Sequence, residues 1–468
     1  MDTVRRQQTK GIGTLLGDPR KAIIKLSIPM VLGSFGQIML YLTDAIFISG
    51  LGPDALSAVG FFVPVFMIIL SIAVGISAGG SAALARMIGC RDDKGADDVA
   101  AHTVIGMIIV SVLITAPLTI FIKPLFFLLG AGDTIDLTVS YGRIMLIGAP
   151  MLSFLIAAIS VFGAEGNTKR GAQGMALVAI LNIMLDPLFI YTLQFGVAGA
   201  ALASVVALSV GSVIFIYWLF IKKSSYVTIK FEKFRFKKKI VLDICSVGVP
   251  VFLSQILNAI GIVIMNLILI KVAGTDGVAI AATGSRVINL ILLPGIGLTG
   301  AFGTVAASAF GANDIDRLKT ALKYVLRLGF IIEACLAAAT FVLAPIIIKM
   351  FMWSDNTARI AEDLIMFFHI TAFSLPVVVF IGAGISVFFA AGKGLNGLII
   401  TFFYVFLFWL PCVWFFGVYL DMGLIGVWGT GVFTGWIAAF IILQWVNIFI
   451  DGLKQDKVKL EKLVLEES

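Results

Sequence analysis

Long apolar stretches, cut at intervals by charges, glycines and prolines, run through the chain from Ile23 to Ile450. They are continuous rather than alternating, which excludes the period-two pattern of lipid-facing barrel strands. Each reaches the roughly 20 residues that a helix needs to cross a bilayer. The pattern predicts twelve membrane helices, over residues 23–49, 55–85, 99–122, 137–163, 172–193, 197–221, 244–270, 278–309, 324–348, 362–390, 395–417 and 422–450. The predicted fold class is an all-α integral membrane protein. No cleavable signal peptide is expected, since the first 22 residues are polar and basic with no apolar core.

Composition agrees with the pattern. Of 468 residues, 60% are hydrophobic and 13% charged, about half the ~25% charged share of soluble domains. The mean hydropathy is +1.07. A soluble enzyme, a disordered chain and a nucleic-acid binder all fit poorly. The net charge of +7 sits outside the apolar runs and reads as a membrane-orienting signal. Counted loop by loop, 27 Lys and Arg fall on the side of the termini and 4 on the other, so both termini are expected in the cytoplasm. Trp218, Trp353 and Trp445 fall near predicted span ends, where interfacial aromatics belong. Cys90, Cys245, Cys335 and Cys412 are isolated and read as small apolar residues.

The basic stretch Lys222–Asp243 divides the spans six and six. The expected organisation is a cytoplasmic tail (1–22), an N-terminal six-helix bundle (23–221), a basic linker (222–243), a second bundle (244–450) and a tail (451–468). The halves align at an offset near 222: Pro29 with Pro250, and Gly75, Gly89 and Asp92 with Gly297, Gly311 and Asp314. At 226 and 227, Gly166 meets Gly392, and Gly196 and Gly199 meet Gly423 and Gly426. Six spans per half makes these parallel repeats, a design suited to two bundles that alternate access to a central cavity.

Polarity separates the halves. Asp44 aligns with Met265, Tyr141 with Phe367, Asn182 with Phe408, Asp186 with Cys412, and Ser204 with Gly431. An ionised Asp inside a membrane helix costs roughly 2.5–3.5 kcal/mol on insertion scales, so such acids mark functional sites. Asn182 and Asp186, four residues apart, share a helix face. Asp44, Tyr141, Asp186 and Ser204 each fall within about 10 Å of the outer boundary at 1.5 Å per residue. They could meet in the outer half of one bundle, where paired carboxylates favour H⁺ uptake and the oxygen donors suit Na⁺. Hydrogen bonding within the bundle is the plainer alternative.

Pro29 and Pro187 each remove a helix hydrogen bond and are candidate bending points. Gln255, Asn258, Arg286, Asn289 and Glu333 could line a cavity in the second bundle, or bond across helices. His102 and His369 have no second histidine at ligand spacing, so neither a metal site nor a cofactor is expected.

The stretch Thr43-Asp44-Ala45-Ile46-Phe47-Ile48-Ser49-Gly50-Leu51-Gly52 resembles the first-helix signature of the multidrug and toxic compound extrusion (MATE) family. Leu181-Asn182-Ile183-Met184-Leu185-Asp186-Pro187 is similar to its fifth-helix motif, and Gly196-Val197-Ala198-Gly199-Ala200-Ala201 to the start of its sixth. The resemblance implies export of bulky, often cationic organic compounds in exchange for H⁺ or Na⁺, by a plasma-membrane protein without a cofactor. It also implies coupling acids in the N-terminal bundle, at Asp44 and Asp186, with Tyr141, Asn182 and Ser204 beside them. Ser204 stands where some relatives have Thr. The seventh-helix Glu of another branch matches Asn258 here, which disfavours a second-bundle Na⁺ site. A monomer in a lipid bilayer is the expected form.

Two rival readings are weaker. A lipid-linked oligosaccharide flippase should place several basic residues in its cavity, and only Arg143, Arg286 and Arg327 fall within spans. A membrane-embedded enzyme would need a nucleophile or base constellation, and no HExxH or GxSxG occurs.

Overall fold

A computed structural model describes residues 9–222, 224–229, 234–349 and 359–467, with side chains to residue 455. Among the described residues there is no strand, and twelve helices are long and apolar enough to cross a membrane. In the first half these are Pro19–Ser49, Pro53–Gly89, Asp93–Ile120, Gly132–Ala164, Thr168–Thr192 and Gly196–Ile221. In the second they are Lys238–Ile291, Leu293–Gly311, Ile315–Lys349, Ala361–Ala390, Gly394–Tyr419 and Gly423–Gln455. Trp353 lies outside the described residues.

Several helices run past their apolar stretches because side chains cap the exposed amides. Span three starts at Asp93, six residues before the hydropathy edge at 99, since the Asp92 carboxylate accepts from the Gly95 amide at 2.8 Å. Its repeat counterpart Asp314 does the same for Arg317 at 2.9 Å, at the start of span nine. The predicted gap between 270 and 278 shrinks to a two-residue break. Only Ala273 (φ −138°) and Gly274 (φ +62°, ψ −149°) leave the helical region within Lys238–Ile291, and Gly274 takes a backbone conformation closed to most side chains. The eighth predicted span is itself broken at Leu292, just before Pro294, which has no N–H to offer the preceding turn.

The duplication extends to backbone conformation. Positive φ recurs at Arg91 and Asn313 (58° and 51°), at Gln194 and Asp421 (57° and 51°), and at Gly166 and Gly392 (76° and 74°). Each pair sits at an equivalent helix end, at offsets of 222, 227 and 226.

The chain packs as two compact units, one of Ile28–Phe252 with Met1–Asp18, the other of Leu253–Ser468 with Pro19–Ser27. In the first, span four is the hub, packed on spans two, three, five and six. In the second its counterpart, span ten, packs on spans eight, nine and twelve. The first unit reaches beyond the expected division at the basic linker. Residues Lys238–Phe252 join it because Gly75 and Gly79 let the two backbones touch: a Cβ at Gly79 would lie 2.1 Å from the Ile244 carbonyl, and one at Gly75 2.6 Å from that of Gly248. The Arg86–Asp243 ion pair, at 2.7 Å, closes the same contact.

The described part of the linker is also bound to this unit. Glu165, fully buried, accepts from the Ser225 hydroxyl and from the Val227 amide at 2.9 Å. Asp97 accepts from the Thr228 amide at 2.7 Å, and Tyr226 donates to Asp93. His102 Nδ1 meets the Asp98 carbonyl at 2.6 Å and so carries the hydrogen, leaving Nε2 to accept from the Lys237 amide at 2.9 Å. The short helix Lys10–Leu15 lies beside these residues, with Gly11 against the backbone of Glu165 and Gly166.

Candidate functional site

Within the first unit, spans one, five and six bring four of the expected residues into one hydrogen-bonded chain. Asn182 Nδ2 donates to Asp186 Oδ1 at 3.3 Å and to Ser204 Oγ at 3.2 Å. Ser204 passes its own proton on to Asp44 Oδ2 at 3.2 Å. Asn182 and Asp186 are both 0% exposed and Ser204 is 4% exposed, while Asp44 is half-buried. Asp186 is the last residue before Pro187, and the helix then widens into a π-turn over Leu188–Thr192. Such a widened turn is frequent at functional positions. Tyr191, within it, donates to the Phe47 carbonyl at 2.7 Å and ties the end of span five to span one.

The chain is short of donors. Asp44 Oδ1, Asn182 Oδ1 and Asp186 Oδ2 are buried and have no hydrogen-bond partner in the protein. Both carboxyls belong to this one chain, Asp186 bonded to Asn182 and Asp44 to Ser204. A buried acceptor left unsatisfied costs about 1–3 kcal/mol, more if charged. A proton held between the carboxyls would satisfy two of the three oxygens. A small hard cation would draw on all three, with Ser204 Oγ as a fourth donor. Among the described residues no group of three His, Cys, Asp or Glu forms a metal site.

Tyr141 is placed nearby but in a different role. It is 6% exposed and packs edge-on against Phe62 at 5.4 Å, within the apolar cluster that also holds Ile48, Ala200 and Ala201. Its hydroxyl takes no part in the hydrogen-bonded chain. Pro29 and Pro187 both lie inside helical stretches that continue through them.

The second-half candidates do not gather. Gln255, Asn258, Arg286 and Asn289 lie at the surface of their helices. Glu333 is fully buried, with its carboxylate against Gly295 near the start of the Leu293–Gly311 helix and both oxygens lacking a side-chain partner. None of the five lines a cavity of about 470 Å³ in the second unit, walled by Phe367, Tyr404, Trp409 and Trp428. Sequence reasoning missed these rings, because aromatic residues are common throughout the chain (38 Phe and 7 Trp). The one available signal was the repeat offset, which pairs Phe367 with Tyr141.

Comparison with known proteins adds the family. The MatE family profile matches twice, over residues 29–188 and 250–415, once in each half. A curated relative, the multidrug export protein MepA of Staphylococcus saprophyticus, is 26% identical over 446 residues, covering 94% of this chain and 96% of its own. A protein of Shewanella oneidensis named FAD transporter is 31% identical over 327 residues, 68% of this chain and 71% of its own. Among solved structures, a MATE protein crystallised in complex with MaL6 superposes with a TM-score of 0.92 at 37% identity, covering 96% of this chain and 100% of that one.

Proposed function

The chain belongs to the MatE family of membrane transporters, and from that premise we propose that it is a secondary antiporter. It exports bulky organic compounds, cationic ones among them, in exchange for H⁺ or Na⁺ taken up at Asp44 and Asp186. The observation that carries this reading is the donor-poor chain of Asp44, Ser204, Asn182 and Asp186, drawn from three helices, with one oxygen each of Asp44, Asn182 and Asp186 left unsatisfied.

In this reading the ion arrives from outside, the side on which the charge asymmetry sets the outer ends of spans one and five. Neutralising the pair removes the repulsion between two buried carboxylates, and spans one and five then repack about Pro29 and Pro187. Asn182 and Ser204 act as positioning residues, holding the acids through their hydrogen bonds. Both termini face the cytoplasm, and the protein works as a monomer.

The Shewanella relative's name supports a second reading, in which the solute is a flavin nucleotide. A pyrophosphate would call for basic side chains at its site. The in-span arginines Arg143, Arg286 and Arg327 are all at the helix surface, and none joins the carboxylate chain. An organic compound without phosphate fits better.

The test is efflux of a fluorescent organic cation from proteoliposomes, driven by a proton gradient alone and then by a Na⁺ gradient alone. One gradient should stimulate efflux in the wild-type protein and fail to do so in Asp44→Asn. Equal stimulation of both proteins would refute coupling at this site.

A further inference from the structure

Spans seven and eleven, both in the second unit from Leu253 onward, enclose a groove of about 380 Å³. Leu253 and Leu257 wall it on span seven, and Leu398, Phe402 and Phe403 on span eleven. Every side chain that lines it is a hydrocarbon. Leu253, Phe402 and Phe403 are exposed along its rim, so the groove is open to its surroundings. It gives a water molecule no hydrogen-bond partner, whereas the bilayer around a membrane span supplies hydrocarbon.

The same place in the first unit is closed by small residues. A Cβ at Gly33 would meet the Ala172 Cα at 3.6 Å, and one at Gly36 the Ala176 amide at 3.8 Å, so spans one and five lie backbone to backbone. By the repeat, Gly36, Ala172 and Ala176 correspond to Leu257, Leu398 and Phe402, whose larger side chains hold spans seven and eleven apart. One turn beyond Leu257 the helices meet again. There a Cβ at Gly261 would lie 2.9 Å from Val405 Cγ1, and the groove ends. Span eleven also widens into a π-stretch over Phe403–Trp409, starting at the groove wall, where the matching part of span five is α-helical.

The opposite end of the groove carries charge. Lys393 precedes span eleven, five positions before Leu398; it is exposed, with its ammonium over the Phe449 ring at 4.6 Å. Lys393 and Val405 are twelve residues apart, about 18 Å at 1.5 Å per residue. That is close to one leaflet of a hydrocarbon core about 30 Å thick. At roughly the 30 Å³ that one water molecule occupies in the liquid, a space of about 380 Å³ holds about a dozen methylenes.

We propose that this groove binds one acyl chain of an anionic phospholipid, with Lys393 at the headgroup phosphate. Twelve spans put both termini on one side, and the turn between spans ten and eleven lies there too, so the lipid belongs to the leaflet on that side. Its tail fills the space between two helices that glycine and alanine close in the first unit. The site stands apart from the carboxylate chain and does not depend on what the protein exports.

The test uses the purified full chain in detergent and phosphatidylglycerol carrying a diazirine in one tail, with cross-linked residues mapped by peptide mass spectrometry. Labelling should saturate within Leu253–Leu257 and Leu398–Phe403. Unlabelled dioleoyl phosphatidylglycerol should compete for it better than dioleoyl phosphatidylcholine. Leu257→Trp fills the groove and should weaken labelling there by at least about tenfold, the loss expected when a chain's apolar contacts are displaced. Lys393→Gln, a change at an exposed position, should weaken competition by phosphatidylglycerol about fivefold, the effect of one basic residue at an anionic surface, and leave phosphatidylcholine unchanged. Thermal unfolding shows whether the variants fold, and the wild-type map and Lys393→Gln carry the test if Leu257→Trp does not. Label that spreads without saturating over other exposed apolar residues, such as Ile262 and Leu267, would overturn the proposal. So would wild-type labelling in a folded Leu257→Trp, or equal competition by the two lipids in the wild-type protein.

Discussion

Replacing Asp186 by Asn separates the two things that a buried carboxylate does. Asp186 is wholly buried and receives one long hydrogen bond, 3.3 Å from Asn182, with its second oxygen unpartnered. Asn has the same shape, removes a charge and adds two N–H donors to a chain that holds three unsatisfied acceptors. Satisfying one buried acceptor contributes about 1–3 kcal/mol, so the variant should melt at the wild-type temperature or above it. Transport should move the other way. One elementary charge crossing about 100 mV yields ~2.3 kcal/mol, equivalent to a concentration ratio of roughly fifty-fold at 1.4 kcal/mol per decade. In proteoliposomes clamped at such a potential, Asp186→Asn should lose its gradient response while downhill exchange continues. A full gradient response would refute the coupling role. Lost transport together with a lowered melting temperature would instead mean that Asp186 is structural.

Two further predictions concern packing. Glu333→Gln keeps the volume beside Gly295 and removes a buried charge that has no ion-pair partner, so thermal unfolding in detergent should show stability equal to or above wild type. Glu333→Ala should cost about 1–3 kcal/mol through the void it leaves, and the reverse order would refute the account of Glu333 as an unpaired buried acid. Gly79→Ala pushes a Cβ to 2.1 Å from the Ile244 carbonyl, where only backbone can yield. It should destabilise the first unit by at least about 2 kcal/mol, and a wild-type melting curve would show that the two helices separate freely.

The membrane helices were legible because lipid imposes a length and a polarity that hydropathy reads directly. Their ends were less so: hydropathy marks where the bilayer stops, whereas the helix stops where capping does, as at Asp92 and Asp314. The acids stood out because a carboxylate is rare in an apolar run, and the spacing of Asn182 and Asp186 put both on one face. Tyr141 was expected beside the acids as a further oxygen; its ring packs edge-on against Phe62 and its hydroxyl makes no hydrogen bond to the chain. In the second half, Gln255, Asn258, Arg286 and Asn289 are exposed on their helices and line no part of the aromatic-walled cavity. The hold on the linker could not be read at all. It depends on Glu165 and Asp97 meeting backbone amides 62 and 131 positions away, partners that no local pattern announces.

The glycine contact of Gly75 and Gly79 with Ile244 and Gly248 has a consequence for dissecting the molecule. The duplicated units of the gene are not interchangeable cassettes, since the first compact body continues past the basic loop to Phe252. A fragment cut at residue 221 would bare a glycine-floored groove and strand Glu165 and Asp97 without their amide donors. One cut after Phe252 takes its own plug and strap with it. The seam for splitting, permuting or exchanging halves thus lies inside the seventh helix, about four turns past its start at Lys238 and beyond the basic stretch where the hydropathy pattern divides the chain.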